Sequence, residues 1–440
     1  MQAQPERTLV VGLELTGRQP SFAAKVRTDS DAEESLRELA TLAESAGADV
    51  VDRITQARPA RDPATLVGSG KVAQIRDRIE ADAIDTVIFD HELTPTQLRN
   101  LEQRLEVKIL DRTQVILDIF ARRARTSEGQ LQVELAQLNY LLPRLAGRGT
   151  EMSRLGGGIG TRGPGETKLE TDRRRIGKRI TKLKGELERV RATRGVQRSQ
   201  RQAVPLSTVS LVGYTNAGKS TLFNRLTGAG VLADAKMFAT LDPTVRQIRL
   251  PSQRRVLVSD TVGFIRNLPT TLVEAFRATL EEVVAAAMLL HVVDVTAETA
   301  AEHTAHVMKV LREIGAEAAP QILVLNKSDR LSKTGTDHDP ATLTHRILGE
   351  TARQNSTRTV LISAQTGEGC DELLQLIDNH LIQDPIARQR FRLPLTEARL
   401  IHLLYDRAAV ISKRYDKEYC EVVADAPQSI RDRLAEFAVD

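Results

Sequence analysis

Tryptophan is absent from this chain of 440 residues, and aromatic side chains of all kinds make up 3% of it. That scarcity argues against a broad stacking surface of the kind that holds sugars or single-stranded bases on aromatic faces. Cysteine is nearly missing as well. Cys370 and Cys420 stand far apart, with no Cys-x-x-Cys pair and no neighbouring histidine, so they build neither a disulfide framework nor a metal site. A long apolar run is also lacking. The longest, Val283 to Leu290 continuing through His291-Val292-Val293-Asp294, is too short and too interrupted to cross a bilayer, and reads as a helix end followed by a buried strand. The N-terminus, MQAQPERTLVVGLELTG, carries acids where a signal peptide needs an apolar core. The expectation is a reduced, cytoplasmic protein with no membrane span, acting as a monomer.

What the chain does have is length, hydrophobic content of 41% and an uneven charge. Its length exceeds one ordinary core, so several domains are expected. The net charge of +4 conceals an asymmetry: Arg144 to Arg201 holds 17 Lys and Arg against 6 Asp and Glu, a local +11 that leaves the remainder at −7.

Residues 8 to 110 alternate strand-like and helix-like patterns, which indicates an α/β domain. Within it Gly68-Ser69-Gly70-Lys71 superficially resembles a phosphate loop. Val72 stands where a metal-binding hydroxyl belongs and the upstream glycine is missing, so the favoured reading is a glycine turn opening a helix. From Leu131 through Leu135, Leu138 and Leu142 to Leu145, and again from Leu169 through Ile176, Ile180, Leu183 and Leu187 to Val190, apolar residues recur at heptad spacing. Two such helices predict an antiparallel hairpin. The glycine-rich stretch Leu155 to Glu166 between them is expected to be non-helical. The hairpin is basic, with few acids placed for i,i+4 pairing, so it repels itself unless a polyanion neutralises it. RNA phosphate is the expected ligand, with Arg154, Arg162, Lys168, Arg173, Arg174, Arg175, Lys178 and Arg179 as candidate contacts.

The chemistry-bearing stretch is Gly213-Tyr214-Thr215-Asn216-Ala217-Gly218-Lys219-Ser220-Thr221. It follows an apolar run (Val209, Leu211, Val212) and opens a helical pattern (Leu222, Phe223, Leu226), the strand, loop and helix context of a P-loop. Backbone N–H groups there turn toward phosphate oxygens, Lys219 reaches the β and γ phosphates, and Ser220 can ligate Mg²⁺. The base is read downstream. Asn326-Lys327-Ser328-Asp329 follows a strand, and a carboxylate at Asp329 can accept from both N1 and N2 of guanine, a donor pair adenine lacks. Asn326 can bond the N7 side of the base, Lys327 can lie along the ribose, and Ser363-Ala364 offers a backbone N–H for O6. Asp260-Thr261-Val262-Gly263 supplies a carboxylate for the outer metal shell and a glycine N–H for the γ-phosphate. Thr240 is the residue expected to close on Mg²⁺ and the γ-phosphate only when GTP is bound. Strand-like runs between about Pro205 and Asp384 predict a doubly wound, mostly parallel sheet with ligand at the strands' C-terminal ends.

These residues also carry a resemblance. Leu66 to Val72 (LVGSGKV), Leu155 to Glu170 (LGGGIGTRGPGETKLE), Met237 to Thr244 and Asp260 to Phe264 resemble the HflX family of ribosome-associated GTPases, within the P-loop GTPases. The resemblance implies binding to the large ribosomal subunit and its RNA, with GTP-dependent splitting or rescue of ribosomes under stress. The other reading from the residues is an RNA-binding ribosome-assembly module in which GTP or GDP only locks a conformation. Phe264 occupies the place of the glutamine that orients water in Ras-like enzymes, so no general base is assigned and slow unaided hydrolysis is expected. The expected fold is multidomain α/β: an α/β domain (1–112), a basic hairpin (113–203), a Ras-like P-loop domain (204–385) and a small α+β domain (386–440).

Overall fold

The computed structural model of the protein describes residues 5–16, 29–145, 164–202, 206–229, 237–238, 240–241, 243–266, 277–331, 339–348, 358–381, 386–416 and 418–439. A first parallel sheet, in the order β2-β1-β3-β4, is built from β1 (Arg7–Leu15), β2 (Asp49–Arg58), β3 (Thr86–Phe89) and β4 (Lys108–Asp111). Helices α1 (Asp29–Ser45), α2 (Ser69–Asp82) and α3 (Pro95–Leu105) cover it. Alternation along β1 splits its side chains between two cores. Leu9 and Val11 pack with Ile75 and Leu101, whereas Val10 packs with Leu36 and Leu39 of α1. Gly68 caps α2 in an extended conformation, and Lys71 Nζ donates to Gln74 on the same helix at 2.7 Å. The Gly68–Lys71 stretch is therefore a helix-opening turn.

Helix α4 (Arg112–Arg123) falls inside the segment assigned to the hairpin, yet it packs on α1 and β4. Val115, Ile116, Leu117, Ile119 and Phe120 are all buried there. Helix α5 (Ser127–Arg144) then pairs with α6 (Pro164–Gln202), the Arg179 guanidinium donating to both Glu134 oxygens at 2.6 and 2.7 Å. Leu183 and Leu187 are buried, as the heptad spacing requires. On α5 the outcome differs. Leu131, Leu135, Leu138 and Leu142 are half-buried, while the buried hydrophobic positions are Val133, Ala136 and Tyr140. The helix serves two partners, α4 on one side and α6 on the other, so its deepest face is not the heptad seam. Helix α6 begins at Pro164, inside the stretch expected to be non-helical, because proline is well suited to a first turn that needs no N–H donor. Arg154, Arg162 and the glycine run to Gly163 lie outside the described residues, and the side chain of Lys168 is likewise undescribed.

The second sheet runs β10-β9-β8-β5-β7-β6. Its parallel strands are β5 (Thr208–Gly213), β7 (Arg255–Asp260), β8 (Met288–Asp294), β9 (Gln321–Asn326) and β10 (Arg358–Leu361). The edge strand β6 (Thr244–Arg249) is antiparallel to β7, and the sequence reading missed it; its residues TVRQIR are mostly polar and bury only Ile248 fully. Around this sheet lie α7 (Lys219–Thr227), α8 (Arg277–Val284), α9 (Ala300–Glu313), α10 (Pro340–Leu348) and α11 (Cys370–His380). The chain ends in an antiparallel sheet, order β12-β13-β11-β14, formed by β11 (Ile386–Pro394), β12 (Ala409–Tyr415), β13 (Tyr419–Pro427) and β14 (Ala438–Val439). It packs α12 (Ala398–Arg407) and α13 (Gln428–Arg433). Among the described residues no helix is long and apolar enough to cross a membrane.

Candidate nucleotide site

Strand β5 feeds the phosphate loop and α7 leaves it. Gly218 caps α7 at φ 96°, and a Cβ there would lie 2.2 Å from Asn326 Nδ2, so only glycine fits. Lys219 is buried and donates to the carbonyls of Gly213 (3.0 Å) and Tyr214 (2.7 Å). Burial pulls its ammonium down to about 8, although Asp260 opposes the shift. Anionic phosphate beside it would reverse that trend.

Ser220 Oγ, Thr240 Oγ1 and Asp260 Oδ2 form a close triangle. The two hydroxyls are 2.8 Å apart, and each donates to the carboxylate at 2.7 Å. Asp260 Oδ1 is buried without a hydrogen-bond partner, and burial raises the carboxyl's pKa despite the two hydroxyl donors. The three residues sit in the phosphate loop's helix, the segment ahead of β6, and the end of β7. Thr215 Oγ1 in the phosphate loop is also buried and unpartnered. Among the described residues no three His, Cys, Asp or Glu side chains gather into a metal-holding group.

The segment after Asp260 runs directly against the phosphate loop. Thr215 N–H donates to Phe264 O at 2.7 Å and Phe264 N–H donates to Gly213 O at 3.1 Å, bridging Tyr214 and Phe264 in parallel. A Cβ on Gly263 would meet Lys219 Nζ at 2.9 Å, which places that glycine beside the phosphate-binding amine. The Phe264 ring is buried in a hydrophobic cluster that also holds Met237, Phe238 and Leu241.

The expected base-reading residues converge at the ends of β9 and β10. Asn326 Nδ2 donates to Ala217 O at 2.8 Å and its Oδ1 accepts from Ala364 N–H at 2.9 Å. Asn326 thus ties the phosphate loop to the Ser363-Ala364 turn, with one amide hydrogen left for a ligand and the Ala364 N–H already engaged. Ser363 Oγ donates to Asp329 Oδ1 at 2.6 Å and orients that exposed carboxylate. Lys327 adopts φ 70° and pairs with Asp294 at 2.6 Å.

Sequence reasoning missed the residues that the first domain brings to this site. Tyr214 Oη donates to Glu38 of α1 at 2.6 Å and accepts from Arg266 N–H at 2.8 Å, while its ring stacks on His303 of α9 at 3.7 Å. Glu38 in turn pairs with buried Arg112 at 2.5 Å, which also holds Asp90 at 2.7 Å. Burial disfavours the Arg112 charge, but the two carboxylates outweigh it and hold the guanidinium firmly protonated. A cavity of about 460 Å³ lies between α1, the phosphate loop and α9, lined in part by Glu38, Asn216, His291 and His303. No local motif marks Glu38, Arg112 or His303, because only the docking of two domains brings them together.

Five family models match the chain in succession. They are described as "GTP-binding GTPase N-terminal" (residues 33–121), "GTP-binding GTPase Middle Region" (123–201), "50S ribosome-binding GTPase" (208–327), "Elongation factor Tu GTP binding domain" (275–383) and "HflX C-terminal domain" (348–434). Among curated proteins, GTPase HflX of Caldanaerobacter subterraneus is 46% identical over 407 residues, 92% of this chain and 91% of that protein. GTPase HflX of Escherichia coli K12 is 46% identical over 388 residues, covering 88% and 87% of the two chains. Among solved structures, a GTP-binding protein from Sulfolobus solfataricus in complex with GDP is 25% identical, with 85% of this chain and 98% of that one covered and a TM-score of 0.45. Identity of this level along nearly the whole length, together with a phosphate loop whose lysine, hydroxyls and carboxylate are already assembled, makes the chain a member of the HflX family of GTPases.

Proposed function

We propose that this GTPase binds the large ribosomal subunit and works as a GTP-operated factor that splits or rescues ribosomes, chiefly in stress. The observation that carries the switch is the triangle of Ser220, Thr240 and Asp260, whose second carboxylate oxygen, Asp260 Oδ1, is buried and unpartnered. Three hard oxygen groups, with no cluster of acids among the described residues to hold a metal unaided, suit a magnesium ion that also needs the nucleotide's phosphates. Ser220 and Thr240 would hold it directly and Asp260 through its hydration shell. Such an ion would supply charge neutralisation to the bound phosphates. Lys219 and the loop amides bind the phosphates, Gly263 N–H meets the γ-phosphate, and Asp329 accepts from guanine.

Among the described residues we assign no general base, since the Phe264 ring is buried among apolar groups. Hydrolysis is therefore slow until a partner completes the site. The likeness of residues 208–327 to a 50S ribosome-binding GTPase supports the large subunit as that partner. Arg173, Arg174, Arg175 and Lys178 are exposed along α6 and supply the phosphate contacts to ribosomal RNA, whereas Arg179 is half-buried and engaged with Glu134.

Pelleting with large ribosomal subunits in GTP, GDP or a non-hydrolysable analogue tests the reading. Retention is expected with GTP and the analogue, and weak retention with GDP. Lys219→Ala is expected to abolish action on ribosomes. If it left both binding and action intact, the protein would be an RNA-binding assembly module.

A further inference from the structure

The C-terminal sheet ends on one side at β12, and among the described residues no strand pairs with its outer edge. Open edges carry unused N–H and C=O groups, which natural proteins usually blunt or use. This edge keeps large apolar side chains in solvent: Ile411 is 48% exposed, Tyr415 56%, and Tyr405 on the adjoining α12 43%. Ile411 stands at the register shift between Val410 and Ser412, outside the ladder to β13. A groove of about 420 Å³ runs between strand and helix, lined by Tyr405, Ala408, Val410, Ile411, Ser412 and Lys413.

Two cations, Lys413 and Arg414, stand side by side on this edge strand. Lys413 Nζ lies 5.3 Å from the Tyr405 ring centre and 5.7 Å from that of Tyr415, with no carboxylate partner among the described residues. Arg414 lies opposite Glu421 in the ladder, but Glu421 reaches toward Arg390 at 4.0 Å.

We propose that β12 and its groove form a docking edge for an extended acidic peptide of a protein partner. The peptide adds as a further strand, seats an aliphatic side chain beside Ile411 and Tyr405, and sets carboxylates of successive residues against Lys413 on one face and Arg414 on the other. Two other occupants fit less well. The tyrosine rings already face a lysine, which disfavours base stacking, and residues 386–439 hold 10 Lys and Arg against 8 Asp and Glu, far from the basic balance of the hairpin. A second copy would bring the same two cations against themselves.

The test pans the full-length protein, loaded with GDP, against phage-displayed random short peptides, and repeats binding of the selected peptides on Ile411→Asp and Lys413→Glu. Both residues are exposed and outside the nucleotide site, so unaided GTP turnover should be unchanged and confirms folding. The expected result is convergence on acidic peptides with alternating aliphatic residues, bound about tenfold more weakly by each variant and not at all when alternate peptide amides are N-methylated. The proposal is overturned by lack of convergence, by equal binding to wild type and variants, by Lys413-dependent binding of oligouridine, or by a concentration-dependent doubling of mass that Ile411→Asp removes.

Discussion

At the scale of single residues, the site is a set of atoms already held by one another. Ser363 orients Asp329, and Asn326 spans the phosphate loop and the β10 turn. Asp329→Asn should therefore cost guanine recognition about 1.5–3 kcal/mol, some 10- to 100-fold in GTP affinity, with the preference over ATP shrinking accordingly. Competition against a fluorescent GDP reads both. Two buried histidines give a pH signature. Burial holds His291 and His303 at about 4, below the ordinary 6.5. The unfolded chain takes up protons first on acidification, so stability is full above about pH 6.5 and declines as pH falls toward 4, at up to about 1.4 kcal/mol per pH unit and histidine. His303→Phe keeps a ring against Tyr214 and should flatten that decline in thermal melts between pH 7.5 and 5.5. The phosphate-loop run and the runs that begin at Asp260 and Asn326 were legible in the sequence because each is a short run at a strand end. Glu38 and His303 were not, since neither sits in a motif and their partner Tyr214 occupies a position the P-loop pattern leaves free.

At the scale of elements, the alternation of strands and helices was legible and the edges were not. Strands β6 and β11 carry arginines through most of their length, with Ile248 in one and Phe391 and Leu393 in the other as their fully buried apolar residues. A pattern reading has little to hold there, because pairing with a neighbour rather than periodicity makes them strands. The hairpin was visible as heptads, but α5 spends its deepest face on α4, which heptad spacing does not reveal. Leu183 is fully buried between the paired helices. Leu183→Ala is thus expected to cost about 2–4 kcal/mol and lower the melting temperature. Replacing Arg173, Arg174 and Arg175 together by alanine should leave stability nearly unchanged, since all are exposed, and should weaken large-subunit binding while flattening its salt dependence by up to about three contacts. Pelleting across a salt series measures it.

At the scale of the whole molecule, the first domain and the nucleotide domain share a core. Phe120 of α4 meets Phe238 edge-on at 4.6 Å, and Leu36, Val262, Phe264 and Ile265 belong to the same cluster. The segments around Thr240 and Gly263, which we propose sense the γ-phosphate, rest on this shared body, and Tyr214 pins it to α1. Tyr214→Phe removes the hydroxyl that serves Glu38 and the Arg266 N–H, and should destabilise the protein by about 1–3 kcal/mol while keeping the ring stack on His303. With Phe264 turned into that core, its ring is not placed to orient water, and on the proposed reading a partner completes the site. The most direct measurement is GTP turnover by the full-length protein with and without purified large ribosomal subunits. A slow unaided rate that rises at least about tenfold with subunits is predicted, and equal rates in the two conditions would contradict the account.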